Sequence, residues 1–202
     1  MSNHKRCLIT GINGFAGSHL TEALLLRGYV VCGIEKSENF SNLTHIASKL
    51  QLFAADILDK KAMSEIMKQT KPDFIFHLAA QPSVAASFKD PESTIRTNVE
   101  GTRNVLDAAL ESVPNARILV TCTADEYGNV SENDLPIKET HKLAPTNPYA
   151  QSKKEVEELC LRYHQEHSSD IVITRSFNHT GPRQVPIFVL SDWASQVAEI
   201  EA

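Results

Sequence analysis

A tyrosine and a lysine four residues apart open a helical pattern at Tyr149-Ala150-Gln151-Ser152-Lys153, which puts both side chains on one helix face. A phenol with its ordinary pKa near ~10 is a poor base at neutral pH. A neighbouring ammonium favours the phenolate, so the pair could move a proton to or from a substrate hydroxyl. The same spacing also suits an ordinary surface pair, so a third group matters. Thr121-Cys122-Thr123 offers one at the end of a strand pattern. A hydroxyl at Thr123 would reach the same substrate oxygen, whereas a β-branched strand residue with no chemistry is the plainer alternative.

A second constellation lies near the N-terminus. The apolar run Cys7-Leu8-Ile9-Thr10 leads into Gly11-Ile12-Asn13-Gly14-Phe15-Ala16-Gly17 and then a helical pattern. This is a G-x-x-G-x-x-G form of the dinucleotide fingerprint. The first glycine permits the tight turn, the second a close backbone approach to pyrophosphate, and the third close packing of helix on strand. The helix N-terminus then offers N–H donors and partial positive charge to phosphates. Strand before and helix after are the context this motif requires. With a nicotinamide bound, its positive charge would add to that of Lys153 in favouring a Tyr149 phenolate, and Lys153 could also hold the nicotinamide ribose. Glu35 ends the second strand pattern where a carboxylate accepts hydrogen bonds from a ribose 2′-hydroxyl and repels a 2′-phosphate. That favours NAD over NADP. The alternative is a solvated Glu35 with Lys36 facing the phosphate. Asp56-Ile57 follow the third strand and would lie near the adenine, or Asp56 would cap the helix that starts at Lys60.

The elements that must position these residues alternate regularly. Strand patterns at 7–10, 29–35, 50–54, 74–78, 117–121 and 171–175 alternate with helical patterns at 15–27, 60–69, 94–111 and 149–167. Six such strands predict an α/β fold, a doubly wound parallel sheet of Rossmann type, with ligands at the carboxyl ends of the strands. Residues 127–148 are rich in Pro, Asn, Asp and Glu and read as a long surface excursion, a kind of loop that is more often functional than idle. Residues 1–182 are expected to form the dinucleotide-binding domain. Residues 183–202 are expected to begin a substrate-binding region that is otherwise largely absent.

The chain has 202 residues, 42% hydrophobic and 22% charged, with a net charge of −5. That acidity argues against nucleic acid or a membrane surface as a partner. No apolar stretch approaches the ~20 residues of a membrane span, and no signal-peptide pattern is visible, so a cytoplasmic location is expected. Cys7, Cys32, Cys122 and Cys160 are widely spaced and read as reduced, mostly buried thiols. His164 and His167 share a helix face without further ligands nearby, so no metal is expected.

Several motifs stand together in a recognisable order. They are Thr10-Gly11-x-x-Gly14-Phe15-x-Gly17, His77-Leu78-Ala79-Ala80, Thr97-Asn98-Val99-x-Gly101-Thr102, Tyr127-Gly128, Pro148-Tyr149-Ala150-x-Ser152-Lys153 and Arg175-x-Phe177-Asn178-His179-x-Gly181-Pro182. From about Lys5 to its last residues, the chain resembles the extended short-chain dehydrogenases/reductases. Phe177-Asn178-His179-Thr180-Gly181-Pro182, followed by Ser191-Asp192-Trp193-Ala194, most resembles the GDP-sugar members: 4-keto-6-deoxy-mannose reductases first, mannose 4,6-dehydratases next. The resemblance implies a Thr123, Tyr149 and Lys153 triad with Asn98 as a supporting polar residue. It also implies that His77, Leu78, Ala79, Ala80 and Gln81 line a cofactor, NAD or NADP. Ser83, Glu126 and Asn178 would face the sugar or its diphosphate. The implied partners are a GDP-linked hexose and a second copy of the chain, paired through the helices from Thr94 and Tyr149. An apolar exposed face on these helices would support such a homodimer.

The resemblance also frames the reaction. A 4,6-dehydratase removes a proton at C5 and expels the C6 hydroxyl, and it uses a carboxylate two positions beyond the catalytic Thr, usually Glu. Here that position is Asp125, one methylene shorter, a shift large enough to matter where position is critical. A reductase needs hydride at C4 and a proton from Tyr149, so it tolerates the change. Asp125-Glu126-Tyr127-Gly128 also resembles the reductases' Glu-Glu-Tyr-Gly more than the dehydratases' Glu-Leu-Tyr-Gly. Reduction of the C4 ketone is therefore expected ahead of dehydration, with C4 epimerisation third. Arg183 stands where the reductase pattern has Gly, as an added phosphate contact or a surface charge. The other functional class is a truncated module that binds a dinucleotide without turnover.

Overall fold

Six short apolar runs become six parallel strands: β1 (Arg6–Thr10), β2 (Val30–Glu35), β3 (Gln51–Ala54), β4 (Phe74–His77), β5 (Arg117–Thr123) and β6 (Ile171–Ser176). This is the arrangement in the computed structural model, which describes residues 4–201. They pair in the order β3-β2-β1-β4-β5-β6, with every neighbouring pair parallel. Cys7, Leu8 and Ile9 on β1 are buried whichever face they point to, as are Val31, Cys32 and Ile34 on β2. Both faces of these strands are covered, so their sequences run apolar rather than alternating.

Parallel strands need crossovers, and helices supply them. These are α1 (Phe15–Leu26), α2 (Lys60–Thr70), α3 (Val84–Lys89), α4 (Pro91–Ile95), α5 (Gly101–Ser112) and α6 (Pro148–His167), with α7 (Val189–Glu201) last. One core cluster joins Leu8, Ile75 and Val120 of the sheet to Met63 of α2, Leu106 of α5 and Leu159 of α6. On the opposite face, Ile9 and Val31 pack with Leu24 of α1 and Leu43. Local chemistry sets the ends. Asn147 caps α6 by accepting from the Ala150 N–H at 2.8 Å, with Pro148 in the first turn. Gly28 follows α1 in the left-handed conformation, with φ of 78°.

The structure departs from the expected elements in four places. A 3-10 stretch (Ser41–Lys49) fills the gap before β3, and α3 forms where no helix was expected, capped by Ser83 Oγ accepting from Ala86 N–H. The helix expected at 94–111 starts earlier, at Pro91, behind an Asp90 cap, and is interrupted by a π-turn (Arg96–Glu100). β5 runs two residues further than expected, because Thr121, Cys122 and Thr123 continue to pair with Thr174, Arg175 and Ser176 of β6. Residues 127–148 are mostly irregular, as expected, with one short 3-10 turn (Glu132–Asp134).

Strand order reverses between β1 and β4, and a cavity opens there at the carboxyl ends of the strands, as this topology requires. Among the described residues no helix is long and apolar enough to cross a membrane. All four cysteines are free and buried. The apolar face that would support a dimer through α5 and α6 is missing: among exposed large apolar residues α5 contributes none and α6 only Leu161. Exposed apolar side chains gather instead at the end of the chain, with Leu190, Trp193, Val197 and Ile200 all exposed on α7.

Candidate active site

The turn after β1 is shaped by what it cannot hold. A Cβ on Gly17 would lie 2.2 Å from Gly11 O and 2.8 Å from Ile12 O, both backbone atoms. Gly11 itself has φ of 71° and sits against the Ala79 backbone, a conformation glycine adopts without penalty. Gly14 precedes α1, and no side chain caps that helix. Its first-turn N–H groups are therefore left for a ligand. A tight backbone cradle, bare N–H donors and an adjoining cavity of about 1230 Å³ fit a dinucleotide. Gly17→Ala is expected to weaken dinucleotide affinity about tenfold or more, the equivalent of about 1.4 kcal/mol or more. A fluorescence titration with NADH or NADPH would read it.

At the β2 end the Glu35 carboxylate is already oriented. One oxygen accepts from Asn13 N–H at 3.2 Å, and the other from Lys36 N–H at 3.0 Å. Asn13 is in turn held by Asn42, which donates to it through both its backbone and its side-chain nitrogen. The Lys36 ammonium pairs with Asp56 at 3.0 Å. Asp56 does not cap α2: its other oxygen accepts from Leu58 N–H, and the cap is Asp59, which accepts from Ala62 N–H. Two residues of chain separate the two acids, and only the later one abuts the helix.

A buried polar chain runs from the glycine turn to the tyrosine helix. Ala79 N–H donates to Thr10 Oγ1, and Thr10 lies 2.7 Å from His77 Nδ1. His77 Nε2 lies 2.9 Å from Thr102 Oγ1, which donates to the Asn98 carbonyl. Because the Thr102 hydrogen is spent on Asn98, His77 must donate from Nε2 and accept at Nδ1, so it is neutral. Burial, with Lys153 nearby, drives its pKa down to about 3. The Asn98 side chain accepts from Gln81 N–H and donates to Ser152 Oγ, which donates to the Tyr149 carbonyl.

Thr123, Tyr149 and Lys153 meet at the C-terminal end of β5. Lys153 is buried and donates to Thr121 O at 2.8 Å. Burial lowers its pKa, against the opposing pull of Cys122, Glu126 and Cys160. Tyr149 hydrogen-bonds Thr123, yet its pKa is pushed up to about 12, by burial first and then by Asp125. In the protein alone burial therefore outweighs the Lys153 ammonium; the expected phenolate also draws on the charge of a bound nicotinamide. Thr123 Oγ1 accepts from Asp125 N–H at 3.3 Å, leaving its own hydrogen for a ligand or for Tyr149.

Most of the residues singled out from sequence share one wall. Gly11, Asn13, Gly14, Phe15, Ala16, Gly17, Glu35, Asp56, Ile57, Leu78, Ala79 and Ala80 line the cavity, together with Ser83, Thr123, Asp125, Tyr149, Lys153 and Asn178. Four stand behind it. His77, expected to line the cofactor, and Asn98 are buried in the chain just described. The Gln81 side chain bonds Thr94 and Ser83 instead of facing the cavity. Glu126, expected to face the sugar, is fully buried, because its carboxylate closes a capping box by accepting Thr123 N–H at 3.0 Å. The cavity also takes in Asn42 of the unforeseen 3-10 stretch. His179 lines it too, stacking on Phe15 at 5.7 Å. Arg183 joins them from φ of 71°, its guanidinium 2.7 Å from Glu22.

Comparison with known proteins agrees with this geometry. The family model for GDP-mannose 4,6 dehydratase matches residues 8–202. GDP-6-deoxy-D-mannose reductase of Pseudomonas aeruginosa is 32% identical over 197 residues, covering 98% of this chain and 60% of that one. The solved structure of DesIV, a dTDP-glucose 4,6-dehydratase from Streptomyces venezuelae with NAD and TYD bound, superposes with a TM-score of 0.87 at 28% identity, over 96% of this chain and 62% of that one. RMD from Pseudomonas aeruginosa, complexed with NADPH, does so at 0.80 and 31%, over 97% and 61%. The chain thus spans about 60% of the length of these relatives. With the matching model over nearly its whole length, the chain belongs to the GDP-mannose 4,6 dehydratase family of the extended short-chain dehydrogenases/reductases.

Proposed function

We propose that the chain reduces the C4 ketone of a GDP-linked 4-keto-6-deoxy-hexose, with NAD or NADP as its cofactor. The observation that carries this reading is Tyr149 and Thr123 together on the wall of a cavity that leads back to the glycine cradle, with burial pushing the Tyr149 pKa up to about 12. A phenol that keeps its proton is an acid, and reduction needs an acid where alkoxide develops. A bound nicotinamide dinucleotide supplies the hydride. Thr123 orients the ketone oxygen, Tyr149 delivers the proton, and Lys153 holds the nicotinamide ribose and steadies the charge left on the phenol. Phe15, Ala16 and Gly17 present N–H groups to the pyrophosphate, while the Gly14 N–H closes the turn onto Gly11 O. Glu35 accepts from the adenosine ribose, which favours NAD, with Lys36 already drawn to Asp56. Leu78, Ala79 and Ala80 flank the cofactor, and Ser83, Asp125 and Asn178 face the substrate. Residues 1–182 act as the dinucleotide-binding domain and 183–202 as the beginning of a substrate-binding region. A homodimer belongs to the same reading.

Dehydration of GDP-mannose is the second reading, favoured by a carboxylate, Asp125, on the cavity wall. The two separate in one experiment. Loss of reduced-nicotinamide absorbance is followed with GDP-4-keto-6-deoxy-mannose and NADH or NADPH, and GDP-mannose consumption is followed in parallel. Ketone reduction without dehydration is the expected result. In that background Asp125→Glu restores the reach a dehydratase uses and is expected to raise dehydration by about tenfold or more. A parent chain that dehydrates GDP-mannose as fast as it reduces the ketone overturns the reductase reading. A chain that binds NADH yet turns over neither substrate leaves only the binding module.

A further inference from the structure

Glu126 is the one fully buried acid among the described residues, and no hydrogen bond reaches one of its two oxygens. Its neighbours make this costly for an anion. A Glu157 oxygen, the Cys122 sulfur and a Glu126 oxygen lie within 4.8 Å of one another. Both Glu157 oxygens are taken by Arg175, at 2.9 and 2.5 Å, so the available cation is already matched to one anion. The Cys122 thiol lies 3.5 Å from the Lys153 carbonyl as its donor. A second buried charge this close to Glu157, with a bare oxygen, is the arrangement in which one of two carboxyls keeps its proton.

We propose that Glu126 is held as the neutral acid and serves as the positioning residue of Thr123. One oxygen fixes the Thr123 backbone, and the other carries a proton toward the Glu157 carboxylate. The positioning half rests on the role given to Thr123 above; the proton half does not. Burial first, and then Glu157, push the Glu126 pKa up to about 7, while the Thr123 N–H, Arg175 and the Cys122 thiol pull it down. Cys122 on β5, Tyr149, Lys153 and Glu157 on α6 and Arg175 on β6 are the titratable and charged groups it meets. Losing this proton places an anion behind the reacting groups and raises the proton affinity of Tyr149 further. A weaker acid donates more slowly.

Proton linkage gives a test that needs no substrate. An acid whose folded pKa is raised stabilises the fold at low pH, and that stability is lost as pH rises through the folded value. From about pH 5.5 to about pH 8.5 the unfolding midpoint of the parent is expected to fall relative to that of Glu126→Gln by on the order of 5 °C. An infrared carbonyl band of a protonated acid should be present below neutrality in the parent and missing in the variant. A midpoint difference that does not change with pH, or a parent without that band, overturns the neutral acid.

The positioning role is read separately. Gln retains an acceptor for Thr123 N–H and Met does not, so kcat is expected to drop about tenfold in Glu126→Met and to recover largely in Glu126→Gln. Equal kcat in the two variants overturns the positioning role. A parent without any turnover removes the reductase reading and, with it, the positioning role, while the unfolding and infrared measurements still decide the proton.

Discussion

Tyr149→Phe is expected to lower turnover by about 10²–10⁴-fold while leaving dinucleotide affinity nearly unchanged. The substitution removes one oxygen from a side chain that is otherwise packed against β5, so the loss falls on proton delivery. In the proposed reading dinucleotide affinity rests instead on the backbone cradle at Gly11, Gly14 and Gly17 and on Glu35. Stopped-flow reduction and an NADH titration on the same preparation separate the two effects. A Phe variant that keeps more than about a tenth of parental turnover would show that another group donates the proton. Because the phenol is pushed up to about 12 in the protein alone, its protonated form persists through neutral pH. Turnover should not collapse there through loss of the acid itself. Any fall with pH belongs to another group, and Glu126 is the nearest candidate.

The largest expected stability effect is at Arg175. Its guanidinium makes two bonds to Glu157 and donates at 2.9 Å to Tyr127 Oη and at 2.8 Å to Glu139 O, and it also stacks on the Tyr127 ring at 5.1 Å. The Glu157 side chain is only 9% exposed. Arg175→Met strands that carboxylate in the interior beside a second buried acid, so a loss of about 3–5 kcal/mol is expected in chemical denaturation. The double variant Arg175→Met with Glu157→Leu should recover much of it, because a buried pair replaced whole is far less costly than one broken. If the single and double variants unfold alike, the effect comes from lost packing on Tyr127 and not from the stranded charge. Acid should narrow the gap by protonating Glu157 in the single variant.

The sheet was legible in the sequence because the periodicity that makes it is local. β1 and β2 are short runs buried on both faces, and α2 and α6 carry their own side-chain caps. What escaped was set by partners distant in sequence. β5 reaches Thr123 because β6 offers Thr174, Arg175 and Ser176 to pair with, and nothing within 117–123 announces it. The 3-10 stretch Ser41–Lys49 is polar overall and is anchored by Leu43 in the core. The cavity wall was largely readable, since glycines and a strand-end acid carry their constraint in their residue type. Glu126 was misplaced for a related reason. An acid three positions from a cavity-facing Thr looks like a ligand contact until the 3-10 turn (Ala124–Tyr127) folds its carboxylate back onto Thr123 N–H. Tyr149 was legible in its place on the cavity wall, whereas proximity to Lys153 says nothing of how deeply both groups are buried.

The chain of bonds through His77 has a direction that cannot be reversed, and that has a consequence for failure. Thr10 donates toward His77, His77 toward Thr102 and Thr102 toward Asn98, so every hydrogen in the relay is committed. A second proton on His77 would make the Thr10 hydroxyl turn from donor to acceptor, at the same Oγ1 that receives Ala79 N–H beside the glycine turn. Cofactor cradle and tyrosine helix therefore hang from a common thread. Acid strong enough to charge this one ring would release both together, and the site would be lost as a unit before the sheet beneath it came apart.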